Sequence, residues 1–137
     1  MGKPTSRPHA GELAAQIEAL RRERARLLES ESRYRQLVEH LPDAVVVHCE
    51  GRIVYANPKA VELLGAPDAA ALLGREVLSL IHPDDRDHVH GRLEDGYLRR
   101  KNNPLIEERV LRPDGGVLDV EVAGIATTHE RKPAIQG

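Results

Sequence analysis

The sequence predicts an α+β fold: an antiparallel sheet with short helices on one face, preceded by one long helix. Three observations carry this. Residues 12–40 contain neither Gly nor Pro and are dominated by Glu, Arg, Ala and Leu, all strong helix formers. Two hairpin signals follow: Glu50-Gly51 between β-branched runs, and Pro113-Asp114-Gly115-Gly116 between two more. Several short helical stretches lie between the hairpins, so strands bracket the helices, the order expected of an α+β domain.

The first helix carries apolar residues on a 4-3 spacing, Leu13, Ile17, Leu20, Leu27, Tyr34, Val38 and Leu41, with the polar Arg24 and Glu31 in the same register. Thirty helical residues reach roughly 45 Å, too long for a core of this size to cover. A heptad seam that outruns its own core meets another helix, which predicts a homodimer through those seven apolar residues. A solvated helix held by Glu/Arg pairs four apart is the alternative.

Pro42 ends that helix, and Ala44–Cys49 is β-branched and reads as a strand. Arg52–Ala56 returns as its hairpin partner. Asn57 is an N-cap and Pro58 suits the first turn of a helix that stops at Gly65. Residues 67–74 read as a short helix ending in Gly74, followed by the apolar cluster Val77, Leu78, Leu80 and Ile81. His82-Pro83-Asp84-Asp85 starts the next helix, with two carboxylates where the macrodipole favours them. It runs to about Tyr97. Residues 105–112 and 117–126 then pair as strands. In the second, Leu118, Val120 and Val122 alternate with Asp119 and Glu121, so one face is buried and the other wet.

Composition excludes several functions. Aromatic residues are 2% of the 137, and Tyr34, Tyr55 and Tyr97 are all of them. That is too few for base-stacking platforms or ammonium cages. A net charge of −2 supplies no field for a polyanion. Cys49 alone excludes an intrachain disulfide and a cysteine-rich metal site. No apolar run approaches the ~20 residues of a membrane span. The expectation is a cytoplasmic protein whose partners include neither nucleic acid nor membrane.

Candidate chemistry is sparse. His82, His88 and His90 invite a metal, but residues two apart on a helix point about 200° from each other, so no metal site is predicted. No nucleophile-base motif or phosphate loop appears, so no catalytic residue is assigned. Strand alternation places Val46 and His48 on one face of the first strand, with Val45, Val47 and Cys49 on the other. A small apolar pocket or a plain core would be lined by residues such as Val54, Ala56, Leu64, Val89, Ile106 and Val110. His48, Tyr55 and Glu108 are the candidate polar groups converging on it.

In their order and spacing, YRQLVEHLPDA (34–44), GRIVYANPKAVELLG (51–65), LLGREVLSLIHPDDR (72–86) and RVLRPDGGVLDVEV (109–122) resemble a PAS domain. The resemblance implies a five-stranded antiparallel sheet packing short helices around a small pocket. It also implies a sensory module whose N-terminal helix relays a signal to an effector domain of the same parent protein, such as a histidine kinase or cyclic-dinucleotide synthase. The alternatives are a small-ligand- or haem-binding sensor and a purely structural dimerisation module with a fully packed core. The domains then read as a flexible leader over 1–10, a coiled-coil linker over 11–32, and a PAS domain over 33–137. In this family the last strand runs some eight to ten residues; here it would begin near Lys132, so most of it is expected to be missing. That predicts a fragment of a larger sensor whose sheet is completed in trans or by helix packing. One PAS subclass ligates haem through a His on the helix after His82; the matching position is Val89, flanked by His88 and His90. This disfavours haem without closing it, since a one-residue slip would bring a His there. The flavin-binding Asn-Cys-Arg motif is absent, and no cofactor is expected.

Overall fold

The computed structural model describes residues 9–137, so the leader expected over 1–10 lies, as far as residue 8, outside the described residues. Two compact units divide at Leu37/Val38. Helix α1 (Ala10–Glu39) is 30 residues long. Glu and Arg three or four apart pair along it, as in Arg26–Glu23 and Arg33–Glu29; such exposed pairs each contribute a few tenths of a kcal/mol at most. Leu13, Ile17, Leu20, Leu27 and Tyr34 are all exposed on this helix. Val38 departs from the expected seam: it is buried at 6% exposure within the second unit. Leu41 lies beyond the helix end, where its N–H donates to the Val38 carbonyl at 3.3 Å.

The second unit contains β1 (Val46–Cys49), β2 (Arg52–Ala56), α2 (Pro58–Leu64), α3 (Arg86–Leu98), β3 (Asn103–Leu111), β4 (Val117–His129) and β5 (Lys132–Gln136). A single 3₁₀ turn at Ala69–Ala71 replaces the short helix expected over residues 67–74, and further 3₁₀ turns at Val77–Leu80 and Pro83–Asp85 lead into α3. All strand pairs are antiparallel, in the order β2-β1-β5-β4-β3. Ile53, Ala60, Leu64, Leu72, Leu80, Ile81, Val89 and Val110 form the buried cluster between sheet and helices.

The last strand corrects one expectation. β5 sits between β1 and β4 and pairs with both, through Val47–Cys49 on one side and Ile125–His129 on the other. Gly137 adds a reciprocal pair of bonds with Val46, at 2.8 and 3.0 Å. The sheet is therefore continuous within this chain, and neither completion in trans nor a substitute helix is needed to join its halves. Five residues suffice because β4 divides its partners. Val117 to Gly124 pair with β3, and β5 meets β4 from Ile125 onward. β4 runs three residues past its expected end, reversing at Glu130 and Arg131 with φ of 48° and 67°.

Asn57 is the internal fastener. It is fully buried, and its side chain makes four hydrogen bonds. Oδ1 accepts from the N–H groups of Val45 and Ala60, both at 2.9 Å. Nδ2 donates to the carbonyls of Val38 at 3.1 Å and Asp43 at 2.9 Å. One amide thus caps α2, holds the entry to β1, and ties the last turn of α1 to the loop after it. A carboxylate in its place would keep the acceptor and aim an oxygen at two carbonyls. Asn57→Asp is expected to lower the unfolding free energy by about 3 kcal/mol or more at pH 7. Because protonation restores one donor, part of that loss should return in acid, relative to the unmodified protein. Urea denaturation at pH 7 and pH 4.5 checks both statements.

Candidate functional site

A cavity of about 740 Å³ lies between the inner face of the sheet and the helices. Its walls are Val, Leu, Ile and Ala from β1, β2, α2, α3, β3, β4 and β5, and the lining includes no Tyr. Gly137 and the exposed residues Glu121, Ala123 and Ile125 of β4 also contribute to its lining. His48, Arg92, Asn103 and Glu108 are among the polar side chains on the wall.

His48 is placed by β1 and held by α3. Its Nδ1 lies 2.5 Å from the Tyr97 hydroxyl, and the two rings meet edge to face. That hydroxyl also accepts from the Gly51 N–H at 3.1 Å. One bond therefore joins Nδ1 to the hydroxyl and leaves Nε2 for another partner. Burial removes hydration from the imidazolium and lowers the pKa of His48 to about 4. Burial likewise raises that of Tyr97. At neutral pH the pair is an uncharged clamp between the first hairpin and α3.

Glu108 and Arg92 form the second polar group. Glu108 is 6% exposed, and Arg92 Nε approaches its Oε1 to 3.4 Å. Burial raises the Glu108 pKa and the Arg92 charge opposes that rise. Arg92 is fixed by its own bonds: Nη2 donates to the Pro104 and Val122 carbonyls at 2.9 and 3.1 Å. Asn103 donates to the Arg92 backbone carbonyl at 2.8 Å. Just before α3, the Asp85 carboxylate accepts two bonds from the Arg109 guanidinium, at 2.8 and 3.0 Å, and one from the Arg109 N–H at 2.9 Å. Those bonds lower the Asp85 pKa to about 2.

His48, Val89 and Glu108 all line the cavity, whereas Tyr55 does not. The reason is a bulge. Val47 pairs with Tyr55 but His48 pairs with Ile53, so Val54 is the extra residue and alternation breaks there. Ile53 takes the inner position, and Tyr55 lies opposite the outward Val47. Val54, Ala56 and Ile106, also expected on the wall, are not part of it, while Leu64 and Val110 are. Arg92, Asn103 and Tyr97 were not foreseen. Arg92 stands three residues after the buried Val89 and four before the buried Gly96, a helical stripe that marks the inward face. These residues do not fit haem. Val89, at the position that subclass uses, offers no lone pair, and His88 and His90 on either side of it are exposed. Cys49 lies on the other face of β1, where its Sγ donates to the Pro133 carbonyl at 3.3 Å.

The neutral state of His48 has a pH consequence. The unfolded chain takes up the proton near pH 6.5 and the folded chain only near pH 4, so stability present above pH 6.5 is lost as the pH falls through that window. The loss is about 1.4 kcal/mol per pH unit. His48→Gln removes the titration. The difference in unfolding free energy between the two proteins should narrow at that rate from pH 6.5 to 4, read by urea denaturation at half-unit steps.

Comparison with known proteins agrees with this architecture. The family model for the PAS fold matches residues 32–136. Sporulation kinase A of Bacillus subtilis is 29% identical over 104 residues, which are 74% of this chain and 16% of the kinase. The chain thus spans about one sixth of that relative's length. Among solved structures, the PAS domain of an HTR-like protein from Haloarcula marismortui matches with a TM-score of 0.67 and 27% identity, covering 85% of this chain and 94% of that one. A domain of a sensory box sensor histidine kinase/response regulator from Geobacter sulfurreducens matches with a TM-score of 0.66 and 20% identity, covering 80% and 93%. With five antiparallel strands in this order and a family match over most of its length, the chain belongs to the PAS family.

Proposed function

We propose that this chain is a cytoplasmic sensory PAS module that pairs with a second copy through α1 and relays a conformational signal to an effector domain of the same parent protein. The module itself is not an enzyme; catalysis belongs to the effector, and a histidine kinase is the effector class suggested by the relatives. The observation that carries the dimer is the seam: Leu13, Ile17, Leu20, Leu27 and Tyr34 are 45–69% exposed on a 30-residue helix at heptad spacing. Exposed apolar residues at that period are costly in water unless a second helix covers them.

The seam is interrupted at Arg24 and Glu31, whose layers bring like charges together when two copies align in parallel and in register. Such layers weaken association and keep two helix arrangements close in energy, which suits a relay. A second reading, sensing by a bound ligand, is favoured by the buried polar groups on the cavity wall. The lone Cys49, which has no partner for an intrachain disulfide, supports the cytoplasmic side.

Replacing both Arg24 and Glu31 by Leu is expected to tighten self-association at least tenfold, measured by sedimentation equilibrium. An association constant unchanged by the double substitution would show that these residues do not lie in the contact.

A further inference from the structure

The cavity wall carries two polar groups whose bonding capacity its own residues do not exhaust. The Glu108 carboxylate offers about four acceptor sites, and the Arg92 Nε approaches one of its oxygens at 3.4 Å. The Pro104 and Val122 carbonyls hold the Arg92 Nη2 and so fix the orientation of the guanidinium. On the β1 side, His48 spends Nδ1 on Tyr97, which leaves Nε2 for a further bond. Both residues are 6% exposed, and both face the same apolar space.

We propose that this cavity takes a neutral aliphatic molecule bearing a hydroxyl group, whose chain lies among the Val, Leu and Ile walls and whose hydroxyl donates to the Glu108 carboxylate. The inference rests on the sensory reading above and names the chemistry sensed. Charge selects the head group. Of the charged residues on the lining, Asp43 and Glu121 are exposed and Lys59 is half-exposed. Arg92 and Glu108 are largely buried and balance each other, so an ammonium ligand would leave one positive charge uncompensated in the buried part of the site. A carboxylate would set a second negative charge beside Glu108, which already neutralises Arg92. Either arrangement carries the cost of an unpaired buried charge. A hydroxyl supplies the missing donor and adds no charge. The absence of Tyr from the lining leaves few ring faces for a planar ligand to stack on, so the wall suits a flexible chain.

Three probes with one chain and different heads test this: 1-hexanol, hexanoate and hexylammonium, each titrated into the full chain and followed by amide NMR. Hexanol should bind at least tenfold more tightly than either charged probe and shift the amides of Glu108, Val110 and Val120. Equal affinity for all three, a preference for a charged probe, or no response to hexanol up to its solubility limit overturns the proposal. Glu108→Gln leaves the Arg92 charge unbalanced, so hexanoate should then bind more tightly than hexanol. An unchanged order of affinities also overturns it. Where that variant loses amide dispersion, the series on the unmodified chain decides alone. The molecular mass recorded beside each titration separates the two readings: a monomer that still prefers hexanol removes the relay and leaves the ligand class standing.

Discussion

The Asn57 side chain is the constraint on which the rest of the domain depends. A buried amide has two acceptor sites and two donors, and leaving any of them unmatched costs about 1–3 kcal/mol. Its partners come from four places in the chain: Val38 at the end of α1, Asp43 in the loop, Val45 before β1, and Ala60 in α2. The Asn57 N–H also donates to the Val45 carbonyl at 3.0 Å. None of these segments can shift without breaking a bond at the shared residue. A movement at the helix end is therefore registered where β1 begins, one residue before the Val46 that pairs with Gly137.

Helix α3 closes the domain by being pinned to the sheet along its length. Asp85, at its start, holds Arg109 of β3. Arg92 reaches Glu108 of β3 and the Val122 carbonyl of β4. Tyr97, one residue before its end, reaches His48 of β1 and the hairpin turn at Gly51. Between the last two, Gly96 lies directly over β5: a Cβ there would come within 2.7 Å of Ile135 Cγ1. The absence of a side chain at Gly96 lets the helix approach closely enough for both polar clamps to form. His48, Arg92 and Glu108, from two of these attachments, also line the cavity.

Much of this was legible because local chemistry and tertiary structure agree. Asn57-Pro58 and Gly65 bound α2 where expected, with Gly65 in the left-handed region at φ 68°. The hairpin turns at Glu50-Gly51 and Gly115 likewise carry positive φ. What was missed lacked a local signal. The Glu130-Arg131 turn uses positive φ without Gly or Asn, so nothing in the residue types announces it. The bulge at Val54 slips the alternation by one, and that slip moved Tyr55 off the wall. Arg92 is a charged residue on an inward stripe, legible only once Glu108 is known to face it. Val38 kept the heptad spacing of the seam yet is buried, because period alone cannot say which partner covers a residue.

Amide hydrogen exchange on the unmodified chain tests the central claim most directly. The Val45 and Ala60 N–H groups both donate to the Asn57 side chain; neither amide lies in a regular strand ladder, and Ala60 is in the first turn of a short helix, which would otherwise exchange readily. If Asn57 holds the domain together, both amides should exchange as slowly as that of Ile135 in the central strand, opening only with global unfolding. Exchange of Val45 or Ala60 a hundredfold or more faster than Ile135 would contradict the account.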